Sequence, residues 1–164
     1  MVLFLDFDGV LHEYDADKQN LLRHVPKLTE VLREYPDIDV VIDSEWRKTE
    51  SLSQLVSYFP SDVIGRFVGV TGTDSVGLRQ RERECWTWLC ASDRTTEHWI
   101  ALEDNLDNFG PDLPGKGSVL FVDPADGLDA SACNTLRAMI LGEKLGAHFC
   151  YERSTVSGWS LWES

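Results

Sequence analysis

The stretch Leu3-Phe4-Leu5-Asp6-Phe7-Asp8-Gly9-Val10-Leu11 decides how this chain is read. From Val2 to Phe7 the residues are apolar up to the first acid, without polar alternation. That pattern suits a strand covered on both faces. Asp6 and Asp8 follow at once, and Gly9 lets the backbone turn tightly behind them. Carboxylates at the end of a buried strand are costly unless they serve a purpose there.

Working outward, other segments repeat this grammar. Asp39 to Ile42 reads as a second buried strand and ends at Asp43-Ser44. Trp99 to Leu102 reads as another and ends at Glu103-Asp104, and Ser118 to Val122 ends at Asp123. Val63 to Val70 is β-branched and predicts a strand or extended segment. Between them lie helical periods. Leu28, Val31, Leu32 and Tyr35 recur at helical spacing behind Pro26, which suits a first turn, and Pro36-Asp37 stops them. Leu52, Leu55, Val56 and Phe59 predict a helix over Glu50–Phe59, ended by Pro60. Leu78–Cys90 predicts a third helix, and Asp129 is placed to cap a fourth running to about Lys144. Residues 9–24, 71–75 and 105–117 read as loops.

Strands alternating with helices predict a three-layer, Rossmann-like α/β fold: a mostly parallel sheet with helices on both faces. In such sheets the ligand crevice lies outside the carboxyl ends of the strands. Asp6 and Asp8, Ser44, and Glu103 and Asp104 therefore converge, although they are far apart in sequence.

Composition narrows the function. Fifteen Lys and Arg against 28 Asp and Glu give a net charge of −13, which argues against broad nonspecific binding to nucleic acid. No apolar run reaches the length of a membrane span, and no basic region precedes the first strand as in a secretory leader. A cytoplasmic protein without membrane contact is expected, as a monomer or weak dimer. Cys85, Cys90, Cys133 and Cys150 form no metal-ligand pattern and are expected to be buried, reduced thiols.

Phosphoryl transfer accounts for the strand-end residues as a set. A carboxylate can attack phosphorus and split one hard step into two. A second acid must protonate the leaving oxygen and then activate water. Attacking group and phosphate are both anionic, so a divalent cation with hard oxygen ligands is required, and Mg2+ suits it. A hydroxyl and a cationic side chain must hold the remaining phosphate oxygens. Asp6, Asp8, Glu103, Asp104, Ser44 and either Arg79 or Arg81 are the candidates.

The first motif resembles that of the haloacid dehalogenase-like (HAD) hydrolase superfamily. Val40-Val41-Ile42-Asp43-Ser44 is similar to its second motif, and Trp99 to Asp104 to its fourth. Ser44-Glu45-Trp46-Arg47, Arg81-Glu82-Arg83-Glu84-Cys85, and Asp123 with Gly127-Leu128-Asp129 resemble a compact subgroup that includes the domain of Swiss-army-knife RNA-repair proteins. The resemblance spans roughly Val2 to Leu141. It implies Asp6 as nucleophile and Asp8 as general acid and base. It implies Ser44 and a basic third-motif residue on the phosphate, and Mg2+ held by Asp6, the Asp8 backbone carbonyl and an acid of the fourth motif. The third-motif Lys is replaced by Arg; Arg81 fits the Arg-x-x-Glu spacing and Arg79 is the alternative. Glu103 directly follows the predicted strand and is preferred as ligand, with Asp104 close behind.

Neither interval, Asp8 to Ser44 or Ser44 to Arg81, has room for a cap domain of ordinary size, so a capless (C0-type) domain over 1–150 is expected, followed by a tail over 151–164. A capless site suits a phosphate on something large. The resemblance points to nucleic-acid ends, whereas the net charge opposes them. The function implied is a magnesium-dependent phosphatase acting through an aspartyl phosphate. A phosphotransferase or a noncatalytic domain on the same scaffold are the alternatives. Trp46 and Arg47 are read as substrate contacts or packing residues, and His12 as structural, though placed where it could face the crevice.

Overall fold

The computed structural model describes residues 1–142. Its strands are β1 (Val2–Leu5), β2 (Asp39–Ile42), β3 (Phe67–Val70), β4 (His98–Glu103) and β5 (Lys116–Phe121). Its helices are α1 (Val25–Glu34), α2 (Leu52–Val56), α3 (Gln80–Ala91) and α4 (Ala130–Ile140). The strands form one parallel sheet in the order β3-β2-β1-β4-β5. The chain builds outward from β1 through β2 to β3, then returns to place β4 on the other side of β1. The strand order thus reverses between β1 and β4, where open α/β sheets bind their ligands.

Each strand's two faces feed different cores. Leu3, Leu5, Val40, Ile42, Ile100 and Leu102 pack with Leu28, Val31, Leu32 and Leu136 of α1 and α4. Val2, Phe4, Val41, Trp99 and Ala101 pack with Cys85 and Leu89 of α3. This period of two sets the site. Asp6 continues the parity of Val2 and Phe4, Asp43 that of Val41, and Glu103 that of Trp99 and Ala101. All three acids therefore fall on the face covered by α3. The hydrogen-bond ladder extends far enough to fix them: Asp6 N–H donates to the Leu102 carbonyl (3.3 Å) and Asp43 N–H to that of Leu5 (2.8 Å).

The elements differ from the sequence expectation mainly at their ends. The helix expected over Glu50–Phe59 is one short helix, because Ser51 and Gln54 form a reciprocal capping box that starts it late. Ahead of it, Glu45–Lys48 winds into a 3-10 turn capped by Ser44. The segment from Val63 becomes a strand only at Phe67, after a 3-10 turn at Ile64–Arg66. The Arg66 guanidinium bonds the carbonyls of Leu32, Tyr35 and Ile38 there, tying this connection to the end of α1. Strand β5 starts at Lys116, inside the expected loop. Gly117 there allows the Trp99 ring to lie flush against the backbone, where any Cβ would overlap it. Asp129 does cap α4, accepting from Ala132 N–H at 2.7 Å. Cys85 and Cys133 are buried as expected, but Cys90 is exposed, because it lies on the outer face of α3. No inserted domain separates Asp8 from Ser44 or Ser44 from Arg81. The fourth helix, expected to run to about Lys144, stops at Ile140, where Leu141 caps it and Gly142 turns at a φ of +67°. Cys150 and the expected tail over 151–164 lie outside the described residues.

Candidate active site

An open cleft of about 1110 Å³ lies over the carboxyl ends of β1, β4 and β5. Asp6, Asp8, Arg81, Glu103 and Asp104 all line it, together with Tyr14, Glu45, Asp107 and Asp123. Ser44 and Arg79, both expected on the phosphate, are not among the lining residues. Ser44 is wholly buried and caps the 3-10 turn, its hydroxyl accepting from Trp46 N–H. Arg79 is exposed at the N-terminus of α3, and its guanidinium lies against Gly110. Two residues on, the helix carries Arg81 into the cleft.

Asp6, Glu103 and Asp104 each offer a carboxylate oxygen within 4.8 Å of the others. Glu103 is the last residue of β4 rather than the first beyond it, and it is buried. Its Oε1 accepts the N–H groups of Asp104 and Asn105, both at 3.0 Å, which fixes the carboxylate. Gly9 approaches Asp104 so closely, at a φ of +70°, that any side chain there would collide with the carboxylate. The glycine therefore serves the acid cluster as well as the turn.

Burial pushes the Asp6 carboxyl up to about 7; Arg81 and the Phe7 N–H partly offset this, and the charges of Asp43 and Asp104 add to it. Burial and then the Asp6 charge push Glu103 well above the usual carboxylate range. Burial also raises Asp104. Crowded acids with so few donors are a donor set for a cation. Oxygen ligands from carboxylates, with room for water and substrate on the open side, fit a hard divalent ion such as magnesium.

The opposite wall is a buried ion network built around α3. Glu84 accepts from Arg47 at 2.6 Å, Arg81 at 3.1 Å and Gln80 at 3.1 Å. Arg81 also reaches Glu45 at 2.9 Å and lies 3.7 Å from Asp43. Burial works against the Arg81 charge, but Asp43, Asp6, Glu84 and Glu45 more than compensate and hold it protonated. Asp43 itself is raised to about 6 by burial, held down in part by Arg81 and by the Thr71 hydroxyl at 2.5 Å. Arg47 does not reach toward substrate. Its guanidinium is spent on Glu84 and on the carbonyls of Asp43, Ser44, Thr71 and Gly72. The Arg-x-x-Glu spacing thus has a geometric meaning: one turn of α3 brings an arginine and its anchoring carboxylate to the same buried point.

The Asp8 carboxylate stands apart from the acid triple. Trp46 Nε1–H donates to both its oxygens at 3.0 Å, and His12 Nε2 lies 3.2 Å from Oδ1. Sequence reading had no signal for the His12 contact beyond its place one turn past Asp8.

A parallel sheet with acids gathered at its switch point, facing one buried arginine, defines a Rossmann-like α/β domain with an acidic site at its strand ends. The chain belongs to the family described as the HAD domain in Swiss Army Knife RNA repair proteins, whose model matches residues 2–133. Membership supports a phosphatase-type hydrolase and the capless HAD core. No curated protein and no solved structure matches the chain.

Proposed function

We propose that this protein is a magnesium-dependent phosphatase that works through a phosphoryl group held on Asp6. The observation that carries this reading is the convergence of Asp6, Glu103 and Asp104 at the switch point, opposite Arg81. An Asp6 oxygen attacks phosphorus while the bond to the leaving oxygen breaks. Asp8 gives its proton to that oxygen, then takes one from the water that hydrolyses the aspartyl phosphate. Arg81, fixed by Glu84 and Glu45, neutralises phosphate oxygens as charge builds on them. Magnesium bound through Asp6, Glu103 and Asp104 would relieve the repulsion between carboxylate and phosphate.

The open, capless cleft supports a phosphate carried by a large partner. The family's description favours an RNA end, whereas Glu45, Asp107 and Asp123 along the walls oppose a long polyanion. A terminal phosphate presented without flanking phosphates satisfies both. Magnesium-dependent release of phosphate from p-nitrophenyl phosphate, lost in Asp6→Asn, tests the activity. Turnover that survives the substitution would refute it. A panel of phosphorylated oligonucleotides, phosphopeptides and small esters then tests the substrate, and preference for small metabolites alone would overturn the large-partner reading.

A further inference from the structure

Asp8 carries an unusual set of neighbours. Trp46 belongs to the 3-10 turn after β2, yet its indole N–H spans the Asp8 carboxylate, 3.0 Å from each oxygen. Its ring is packed edge-on by Phe7 (centroids 5.4 Å) and Tyr58 (5.8 Å). The turn that bears it is clamped by Arg47, which bonds the Asp43 and Ser44 carbonyls at 3.0 and 2.7 Å. His12 lies one turn beyond Asp8 on the same loop, its ring centroid 6.0 Å from that of Trp46. It is 2% exposed, and its Nδ1 has no hydrogen-bond partner among the described residues. A desolvated imidazole with only one polar contact is costly, and that contact is Asp8 Oδ1 at 3.2 Å. The loop is itself pinned, since Val10 accepts from Leu128 N–H at 2.7 Å.

We infer that Trp46 and His12 are positioning residues that hold the Asp8 carboxyl group for proton transfer and leave Oδ2 as the exchanging oxygen. Oδ1 carries two contacts and Oδ2 only the shared indole N–H. The inference rests on the phosphatase reading above, in which Asp8 is the acid and base. In the first half-reaction the proton on Oδ2 passes to the leaving oxygen as its bond to phosphorus breaks and the bond to Asp6 forms. In the second, Oδ2 takes a proton from water, whose oxygen bonds phosphorus as the Asp6–phosphorus bond breaks. Neither residue lines the cleft, and neither exchanges the proton itself. Each acts by restricting the rotation of one side chain, so that Oδ2 faces the substrate.

The leaving group separates positioning from packing. A p-nitrophenolate departs without a proton, whereas an alkoxide requires one. Trp46→Phe keeps an aromatic ring in the pocket and removes the N–H. The ratio of kcat/KM for ethyl phosphate to that for p-nitrophenyl phosphate should fall at least about tenfold in Trp46→Phe, within the range that general acids contribute. His12→Leu should shift the ratio in the same direction by a smaller factor, and His12→Gln, which retains an N–H donor, should restore most of it. KM should stay near the wild-type value in all three, with Tm recorded to separate folding from catalysis. Equal losses on both esters, in Trp46→Phe and in His12→Leu, would overturn the inference while leaving the phosphatase standing. A wild type that turns over neither ester would overturn the phosphatase reading itself, and this inference with it.

Discussion

On the wall built by α3, every buried charge has partners. Glu84 holds Arg47 and Arg81, and Arg81 in turn faces Glu45 and Asp43. On the wall built by β1 and β4, Asp6, Glu103 and Asp104 face one another with backbone N–H groups as their main donors. Burial raises all three carboxyls, while the arginine opposite stays charged. The protein completes the electrostatics of one wall itself; in the proposed function the other wall takes a cation and an anionic substrate. A buried network that is fully satisfied rigidifies, whereas crowded like charges keep their binding capacity.

The largest effect that could break this comparison comes from two arginines on one helix. Arg81→Ala should lower kcat/KM on p-nitrophenyl phosphate by about 100-fold or more, the scale of losing a preorganised group that stabilises transition-state charge. Arg79→Ala should change it little, because that side chain lies outside the cleft. Comparable losses would mean that the α3 wall has been misassigned.

The next effect concerns stability. Glu84→Ala leaves two buried guanidinium groups without their shared carboxylate, and removing one partner of such a pair costs about 3–5 kcal/mol. Urea denaturation should show that loss without magnesium present. A loss below about 1 kcal/mol would show that water or neighbouring groups replace Glu84, contrary to a wall completed by the protein.

For the acid wall, magnesium at about a hundred times its dissociation constant should add about 2.7 kcal/mol of stability. Thermal unfolding with and without the ion should show a rise of several degrees in the wild type, and the rise should vanish in Glu103→Gln. An equal rise in both would place the ion elsewhere.

The smallest effect lies away from the cleft and serves as a control on it. His24 is pushed down to about 4 by burial, then by the charges of Lys27 and Arg23. Lys27 donates to its Nδ1 at 3.1 Å, which fixes the neutral ring. The unfolded chain binds a proton near pH 6.5 and the folded one only near 4. The stability that His24 contributes is therefore complete above pH 6.5 and declines between 6.5 and 4. Relative to His24→Asn, the wild type should lose stability over that window by a few kcal/mol at most, as linkage requires. A difference that does not change with pH would show that the ring is not held neutral.

Much of this site was legible in the sequence because strand parity is rigid. An apolar run that ends in Asp6, and another that ends in Glu103, places both acids on a predictable face once the sheet is known to be parallel. The partners of those acids were less legible. Glu84 meets Arg47 across 37 residues, and Trp46 meets Asp8 across 38; only packing brings them together. Ser44 shows the same limit in reverse, since a serine after a strand suits both a phosphate and a helical turn, and its hydroxyl caps the turn. Arg79 and Arg81 were equivalent as residue types. The left-handed backbone at Arg79, φ 56°, starts the helix and places them on different surfaces.

The central claim is that Asp6 carries the phosphoryl group. Acid-quenching the enzyme during turnover of p-nitrophenyl phosphate with magnesium, followed by peptide mass mapping, tests it directly. The account predicts one added phosphoryl group on the peptide that contains Asp6, absent in Asp6→Asn. Steady turnover with the label on another residue, or retained in Asp6→Asn, would contradict it.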